Sequence, residues 1–441
     1  MNSGKRIVLS TFGSFGDIHP YIAIGLELKR RGHHPVVATS EVYREKMEAV
    51  GLDFRPVRPD MPSHDDPESL TKLAEDLIHQ QKGTEGVIRL FTQNPREVYD
   101  DLYAVAKDAD LLLTHPLPLV GPIVARQLGL PWISSVLSPV SLFSAYDAPV
   151  PPQMPSLRHL FQLSPKLTRA IINIAMRRFE KPVEPIYQLR TEFGMERGEH
   201  PLFAGQHSPT LVLALFSRLL AKPQPDWPPN TLVTGFPFYD RRDYFGERDV
   251  DPALLEFLDE GPPPIVFTLG SSAFWVARDF YRDSVKAAAE VGQRALLLIG
   301  HERNRPPEKL PPGVAAFEYA PFGTVLSRAR AVVHQGGVGT TGQAMRSGRP
   351  QLIVPHAHDQ FDNAERVKRL GCARVLPRPR YNAALATKHL RALLIDEQYE
   401  TNAAEVGRGV AKEDGAVLAV DAIEDILRRP GARTIQHALS Y

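Results

Sequence analysis

RIVLSTFGSFGDIHPYIAIGLELKRRGHHPVVAT, residues 6–39, is the stretch from which the fold class follows. Arg6-Ile7-Val8-Leu9-Ser10 is short, apolar and partly β-branched, as a buried strand requires. Ile18, Tyr21, Ile22, Gly25 and Leu26 then recur at the spacing of one helical face, and Lys29, Arg30 and Arg31 gather where a helix C-terminus favours positive charge. Gly32 ends the run, and His34 to Thr39 reads as a second strand. Strand, helix and strand make a βαβ unit, in which ligands collect at the carboxyl ends of the strands. Gly13-Ser14-Phe15-Gly16-Asp17 is the turn at that end. Its GxxG spacing is not the GxGxxG of dinucleotide-binding turns, which weakens a nicotinamide reading. Asp17 admits two roles there: a helix N-cap worth about 0.5–2 kcal/mol, or an acid facing a ligand.

Outward from this unit, 441 residues exceed what one core usually supports, so two domains are expected. Lys and Arg number 52 against 51 Asp and Glu, a formal charge of +1, and nothing points to nucleic acid as a partner. Cys372 is the only cysteine, so no intramolecular disulfide forms and a reducing compartment fits. No apolar run approaches the roughly 18 residues of a membrane span, and the charged N-terminus lacks an apolar signal core. A soluble, cytoplasmic protein is expected.

Strands are expected at 110–115 and 131–136, flanking a helix from Gly121 to Leu128 that Gly129 closes. Residues 60–85, polar and acidic, read as a mobile loop. From Tyr146 to about Gly205, a proline-rich entry (Pro149, Pro151, Pro152, Pro155) leads into Arg169, Arg177, Arg178 and Lys181 set among Ile171, Ile172, Ile174 and Met176, read as a pair of helices forming a lid or wall. A second α/β block follows Lys222 to Pro229, with strands at 264–269, 295–300, 331–334 and 352–355. The α/β class therefore takes the form of two facing Rossmann-like domains with a cleft between them, where small-molecule sites form.

The most informative stretch is AVVHQGGVGTTGQAMRSGRPQLIVPHAHDQFDN, residues 331–363. A buried strand ends at His334 and runs through Gly336, Gly337 and Gly339 into a helix opened by Thr340 and Thr341. Backbone N–H groups and a positive helix end there make an anion site. Asp359 and Gln360 follow the next strand and suit hydroxyl groups, while His356, His358 and Asp359 could also pass for metal ligands.

These motifs together resemble the nucleotide-sugar signature of GT-B glycosyltransferases of family 1, which include plant natural-product, macrolide and sterol glucosyltransferases and bacterial rhamnosyltransferases. The resemblance covers nearly the whole chain: GDxxP at Gly16 to Pro20, TLGSSA at 268–273, YAPFGTVLSRARAVVHQGG at 319–337, and Asp359-Gln360. It implies an N-terminal acceptor-binding domain over 1–220, a C-terminal nucleotide-sugar domain over 236–415, and a C-terminal helix within 416–441 packing back on the first domain. It further implies that His334 and the Gly336, Gly337, Gly339 and Thr340 turn hold the donor diphosphate with help from Ser271, in place of any metal. Tyr319 would stack on the base beside Phe322, and Asp359 and Gln360 would bond the sugar. Where plant members place a ribose-binding Glu, this chain has Gly342, with Gln343 next to it. In plant members the GDxxP position is a His oriented by an Asp further along; here Asp17 stands first and His115 falls where that Asp lies, so the two form one acid/base unit, with His19 as a rival base.

The implied reaction is inverting, metal-independent transfer of a hexose, glucose from UDP-glucose being favoured over dTDP-sugars, to a hydrophobic aglycone such as a flavonoid or phenolic. No cofactor is implied beyond the nucleotide-sugar co-substrate. Phe12, Phe15, Phe143 and Tyr146 are the expected acceptor wall. A sterol or lipid acceptor, taking a glucosyl or rhamnosyl group, is the alternative, with the basic residues at 169–181 offering peripheral membrane contact. A sugar-nucleotide epimerase and a non-catalytic nucleotide-sugar-binding protein are the remoter ones.

Overall fold

A computed structural model describes residues 4–63, 65–78, 83–150, 161, 164–239 and 250–429. The expectations for Pro151, Pro152, Pro155 and the tail from 430 onward lie outside the described residues. Among them, two wholly parallel sheets form. The first joins β1 (Arg6–Ser10), β2 (His34–Thr39), β3 (Asp53–Pro56), β4 (Leu111–Thr114), β5 (Trp132–Val136), β6 (Val212–Ala214) and β7 (Thr231–Val233) in the order β3-β2-β1-β4-β5-β6-β7. The second joins β8 (Ile265–Thr268), β9 (Ala295–Leu298), β10 (Val314–Phe317), β11 (Ala331–His334), β12 (Gln351–Ile353) and β13 (Ala373–Val375) in the order β10-β9-β8-β11-β12-β13. Ile7, Val8, Leu9, Leu111, Leu112 and Leu113 are fully buried, as are Val266, Phe267, Val332 and Val333, because helices cover both faces of each sheet. The expected α/β class with two Rossmann-like domains is therefore the observed one.

Each sheet reverses its strand order once, between β1 and β4 in the first and between β8 and β11 in the second. Crevices for ligands open at such switch points. Asp17 follows β1, His115 follows β4, Ser271 follows β8 and the glycine-rich turn follows β11, so the expected site residues surround both switch points.

Two features reposition the sequence reading, and two more follow it. The segment 60–85 is not simply a loop: it contains a helix, Pro67–Ile78, whose Ala74 and Ile78 pack into the apolar core of the second domain. Its Leu70, Leu73, Ala74, Leu77 and Ile78 fall on one helical face, a pattern masked by the acidic residues between them. The first sheet takes its outer strand, β7, from beyond residue 220. The helix Gly415–Arg428 lies on the helix Phe15–Arg30, burying Ala419, Val420, Ile423 and Ile426 against it, with Arg31 bonded to Asp421 at 2.6 Å and Glu424 at 3.1 Å. The basic segment forms two helices, Pro165–Arg177 and Glu180–Glu192; the second buries Val183, Ile186 and Leu189 in the first domain.

Candidate functional site

Asp17 is the third residue of the helix Phe15–Arg30, so Ser14, not Asp17, is the N-cap. Its two carboxylate oxygens do separate things. Oδ2 accepts from the Ser14 backbone N–H at 2.8 Å and the Ser14 hydroxyl at 3.2 Å, closing the turn on itself. Oδ1 faces His115 Nε2 at 3.8 Å. Gly13, at φ +131, is required for this: a Cβ there would lie 2.3 Å from Asp17 Oδ2. The N-cap role weighed for Asp17 from the sequence thus falls to Ser14, and Asp17 bonds back to that cap from the third helical position.

The pair is polarised in an instructive direction. Burial pushes the Asp17 carboxyl up to about 6 against the pull of its Ser14 bonds, although the side chain keeps 33 % of its exposure along the cleft. Burial pushes His115 down to about 4, and its Nδ1 lies 3.2 Å from both the carbonyl and the N–H of Leu117. His115 is therefore neutral near pH 7, and the carboxylate is the stronger proton acceptor of the two. Tyr21, bonded to Ser135 at 2.6 Å, backs the imidazole edge-on. His19 instead stacks on Phe15 and leans on Tyr239.

Across the cleft, Gly336 adopts φ +90, and a Cβ there would meet Ile353 at 2.8 Å. His334 is fully buried, with Nε2 3.0 Å from Gln351 Oε1 and Nδ1 accepting from the Gly336 N–H at 3.1 Å. This differs from its expected role. Both ring nitrogens are engaged within the protein, so His334 shapes the turn rather than donating into the cleft, and burial holds it neutral, down to about 4. The same bond removes the Gly336 N–H from the anion site. What remains are the N–H groups of the first turn of the helix Val338–Ser347, including Gly339 and Thr340, which have no intrahelical acceptor. Gly337 is the N-cap, and its carbonyl accepts from Thr341. A Cβ on Gly339 would lie 3.4 Å from Gly16 Cα, so the two turns approach each other closely.

Asp359 is held by Asn363, whose Nδ2 donates to Oδ2 at 2.8 Å. Burial pushes its carboxyl up to about 7, the Asp17 charge on the facing domain adds to the rise, and the Asn363 bond opposes it. Gln360 is buried with its Oε1 accepting from the N–H groups of His356 and Ala357, which leaves its amide nitrogen to offer a ligand. His356 Nδ1 bonds the Val354 carbonyl at 2.7 Å, and the His358 ring bonds the Leu77 carbonyl on the helix Pro67–Ile78. Among the described residues, no cluster of His, Cys, Asp and Glu could hold a metal ion. Ser271 lies in the short helix after β8, against which Pro67–Ile78 packs. Tyr319 is 57 % exposed, and Phe322 lines a surface cavity of about 370 Å³ with Gln343 and Arg346.

The four residues of the expected acceptor wall make ring contacts with other residues or face solvent. Phe12 is buried edge-on against Phe91, Phe143 packs on Phe203, Phe15 touches His19 and Tyr43, and Tyr146 is 56 % exposed. The sequence reading missed Asn363, Ser138 and Phe236. Phe236 accounts for the glycine where plant members have Glu: a Cβ on Gly342 would lie 2.9 Å from its ring.

Two parallel-sheet Rossmann-like domains whose switch points meet across a cleft define a GT-B architecture. Solved structures of that kind superpose over nearly the whole chain. The glycotransferase of kitacinnamycin matches with a TM-score of 0.68 at 21% identity, covering 96% of this chain and 99% of that one. The glycosyltransferase VinC in complex with DTDP matches with a TM-score of 0.66 at 20% identity, covering 96% of this chain and 100% of that one. Residues 7–141 match the glycosyltransferase family 28 N-terminal domain, and residues 283–419 match the erythromycin biosynthesis protein CIII-like C-terminal domain. O-mycaminosyltylonolide 6-deoxyallosyltransferase of Streptomyces fradiae is 29% identical over 95% of this chain and 97% of its own length. Sterol 3-beta-glucosyltransferase of Emericella nidulans is 28% identical over 95% of this chain, which spans only 30% of that protein. The chain pairs a family 28-type N-terminal domain with an EryCIII-like C-terminal domain in a GT-B fold, and the relatives and solved structures it resembles are glycosyltransferases. No helix among the described residues is long and apolar enough to cross a membrane.

Proposed function

We propose that this glycosyltransferase moves a sugar from a nucleoside diphosphate to a hydroxyl of a hydrophobic aglycone, with inversion and with Asp17 as the base. The observation that carries this reading is the facing of the two turns: a carboxyl raised to about 6 lies opposite the N-terminal turn of the helix Val338–Ser347. The acceptor hydroxyl gives its proton to Asp17 as it attacks the anomeric carbon. The diphosphate departs toward the Gly339 and Thr340 N–H groups, whose fixed dipoles do for the leaving charge what a cation would do. His115 stays neutral and orients Asp17. Asp359 and the Gln360 amide take the sugar hydroxyls, and Tyr319 and Phe322 take the base. A single displacement on the face opposite the diphosphate inverts the anomeric centre.

The donor expected of the sequence, UDP-glucose, shares its place with dTDP-sugars. Gly342, with the Phe236 ring against it, offers no carboxylate of its own to a ribose 2′-hydroxyl, so a deoxyribose loses no bond to this position. This supports a dTDP-sugar at least as well as UDP-glucose, in keeping with the DTDP held by VinC. The relative from Streptomyces fradiae, matched over 97% of its length, is a macrolide glycosyltransferase, which favours a polyketide-type or phenolic aglycone over a sterol. Localisation in the cytoplasm, and membrane contact through residues 169–181, belong to the same proposal only as secondary features.

The test is nucleotide release from UDP-glucose and from dTDP-glucose, each with and without macrolactone, flavonoid and sterol acceptors. Release that needs both one donor and one acceptor class supports the reading. Binding of donor without acceptor-dependent release from any pairing would favour a nucleotide-sugar-binding protein, and acceptor-independent conversion of the sugar would favour an epimerase.

A further inference from the structure

One buried side chain joins the two domains at the point where the sugar would sit. Asn363 is fully buried, in the helix Gln360–Arg369. Its Nδ2 donates to Asp359 Oδ2 at 2.8 Å and to the Gly336 carbonyl at 3.0 Å, and its Oδ1 accepts from the Ser138 hydroxyl at 2.9 Å. The Gly336 carbonyl can only accept, so the amide nitrogen lies on that side and the orientation of the amide is settled. Ser138 belongs to the other domain, two residues past β5, and is itself 5 % exposed.

The same seam is closed on either side of this contact. The Val150 N–H donates to Asp362 Oδ1 at 3.1 Å. Arg366, 3 % exposed, bonds Asp362 at 2.7 Å and also pairs with Asp147, which holds Arg369 at 3.1 Å. Arg366 and Asp362 pair within their own helix, and the contacts of Asp147 and of the Val150 N–H join that pair to the first domain. The turn 138–150 and one face of the helix Gln360–Arg369 therefore dock as a unit.

We propose that Asn363 is a positioning residue that aims Asp359 at the donor sugar and fixes the glycine-rich turn, and that Ser138 completes it only when the two domains are closed. Closure and sugar recognition are then one event: the first domain, which would hold the acceptor, sets the geometry of the donor-sugar carboxylate through Ser138 and Asn363. This rests on the reading of Asp359 as a sugar-binding group given above. Ordered geometry of this kind matters because a displacement of about 1 Å in a reacting group can cost on the order of 100-fold in rate.

Ser138→Ala and Asn363→Ala in the full chain test it, with calorimetry of UDP and dTDP set beside UDP-glucose and dTDP-glucose, and with turnover of whichever pair the wild type uses. The ratio of nucleotide-sugar to nucleotide dissociation constants should rise about 10-fold in Ser138→Ala, with nucleotide binding within about twofold of wild type, and about 10- to 100-fold in Asn363→Ala, where loss of the bond to Gly336 also weakens the nucleotide, with kcat falling in both. A purely structural role would weaken both ligands by one factor. Equal weakening, or no change, in Ser138→Ala overturns the proposal, and that variant decides alone if Asn363→Ala does not fold. A wild type that binds the nucleotides but gains nothing from the sugar would instead overturn the reading of Asp359, and this inference with it.

Discussion

The turns Gly13–Asp17 and Gln335–Gly339 stand at equivalent switch points of the two domains, yet they are built by opposite means. In the first, an ionisable side chain captures its own turn: Asp17 Oδ2 holds Ser14, and Oδ1 is left facing the cleft and His115. In the second, the side chains are spent inside, His334 on Gln351 and Gly336, Asn363 on Gly336 and Asp359, and what faces the cleft is backbone N–H. The difference is chemical: in the proposed reaction the carboxylate on one wall takes the proton and the backbone N–H groups on the other take the anion. Transfer of a glycosyl group from a diphosphate to a hydroxyl needs both at once.

Removing the acceptor wall's charge should have the largest effect. Asp17→Asn keeps an oxygen for Ser14, so folding and nucleotide binding should persist while kcat falls about 10²- to 10⁴-fold. Rates near wild type with a poorly acidic alcohol would move the base to His19 or His115. On the other wall, Gly336→Ala places a Cβ 2.8 Å from Ile353 at φ +90. A loss of about 1–3 kcal/mol in denaturant unfolding is expected, together with weaker binding of UDP and dTDP. Unchanged nucleotide affinity would show that this turn is not the anion receptor.

Much of this comparison is legible in the residues themselves. Strand, helix and glycine positions in 6–39 and 331–363 announce the two walls because doubly buried strands and turn glycines leave strong local patterns. What the sequence hides is pairing between distant segments. Nothing in HQGG says that His334 points at Gln351, and nothing near Asn363 names Ser138. Phe236 lies far from Gly342 in the chain, so the missing ribose carboxylate reads as a gap until the ring is seen filling it. The acceptor wall is the least legible, since aromatic residues read alike whether they line a cleft or, as Phe12 and Phe143 do, pack on Phe91 and Phe203.

Smaller effects sharpen the contrast. Gly342→Glu should not create a ribose contact but should crowd Phe236, costing about 1–3 kcal/mol of stability without improving UDP over dTDP. A gain in UDP selectivity would contradict that account of the glycine. Arg31→Ala, which removes the bonds to Asp421 and Glu424, should cost about 0.2–1 kcal/mol in thermal or denaturant unfolding and leave transfer unchanged.

On each wall the buried acid and the buried imidazole carry opposite signs. Asp17 and Asp359 are held at about 6 and about 7 against an ordinary 3.8, so their contribution to stability is full below 3.8 and is lost as pH rises through those values. His115 and His334, held at about 4 against 6.5, contribute fully above 6.5 and lose it as pH falls through about 4. Activity needs Asp17 ionised, so rate and the Asp17 stability contribution run against each other. The pH dependence of kcat/KM, in wild type and in Asp17→Asn, is therefore the most direct measurement. The account predicts an acid limb near 6 in the wild type that disappears from the residual rate of Asp17→Asn. The same limb surviving in Asp17→Asn would contradict it.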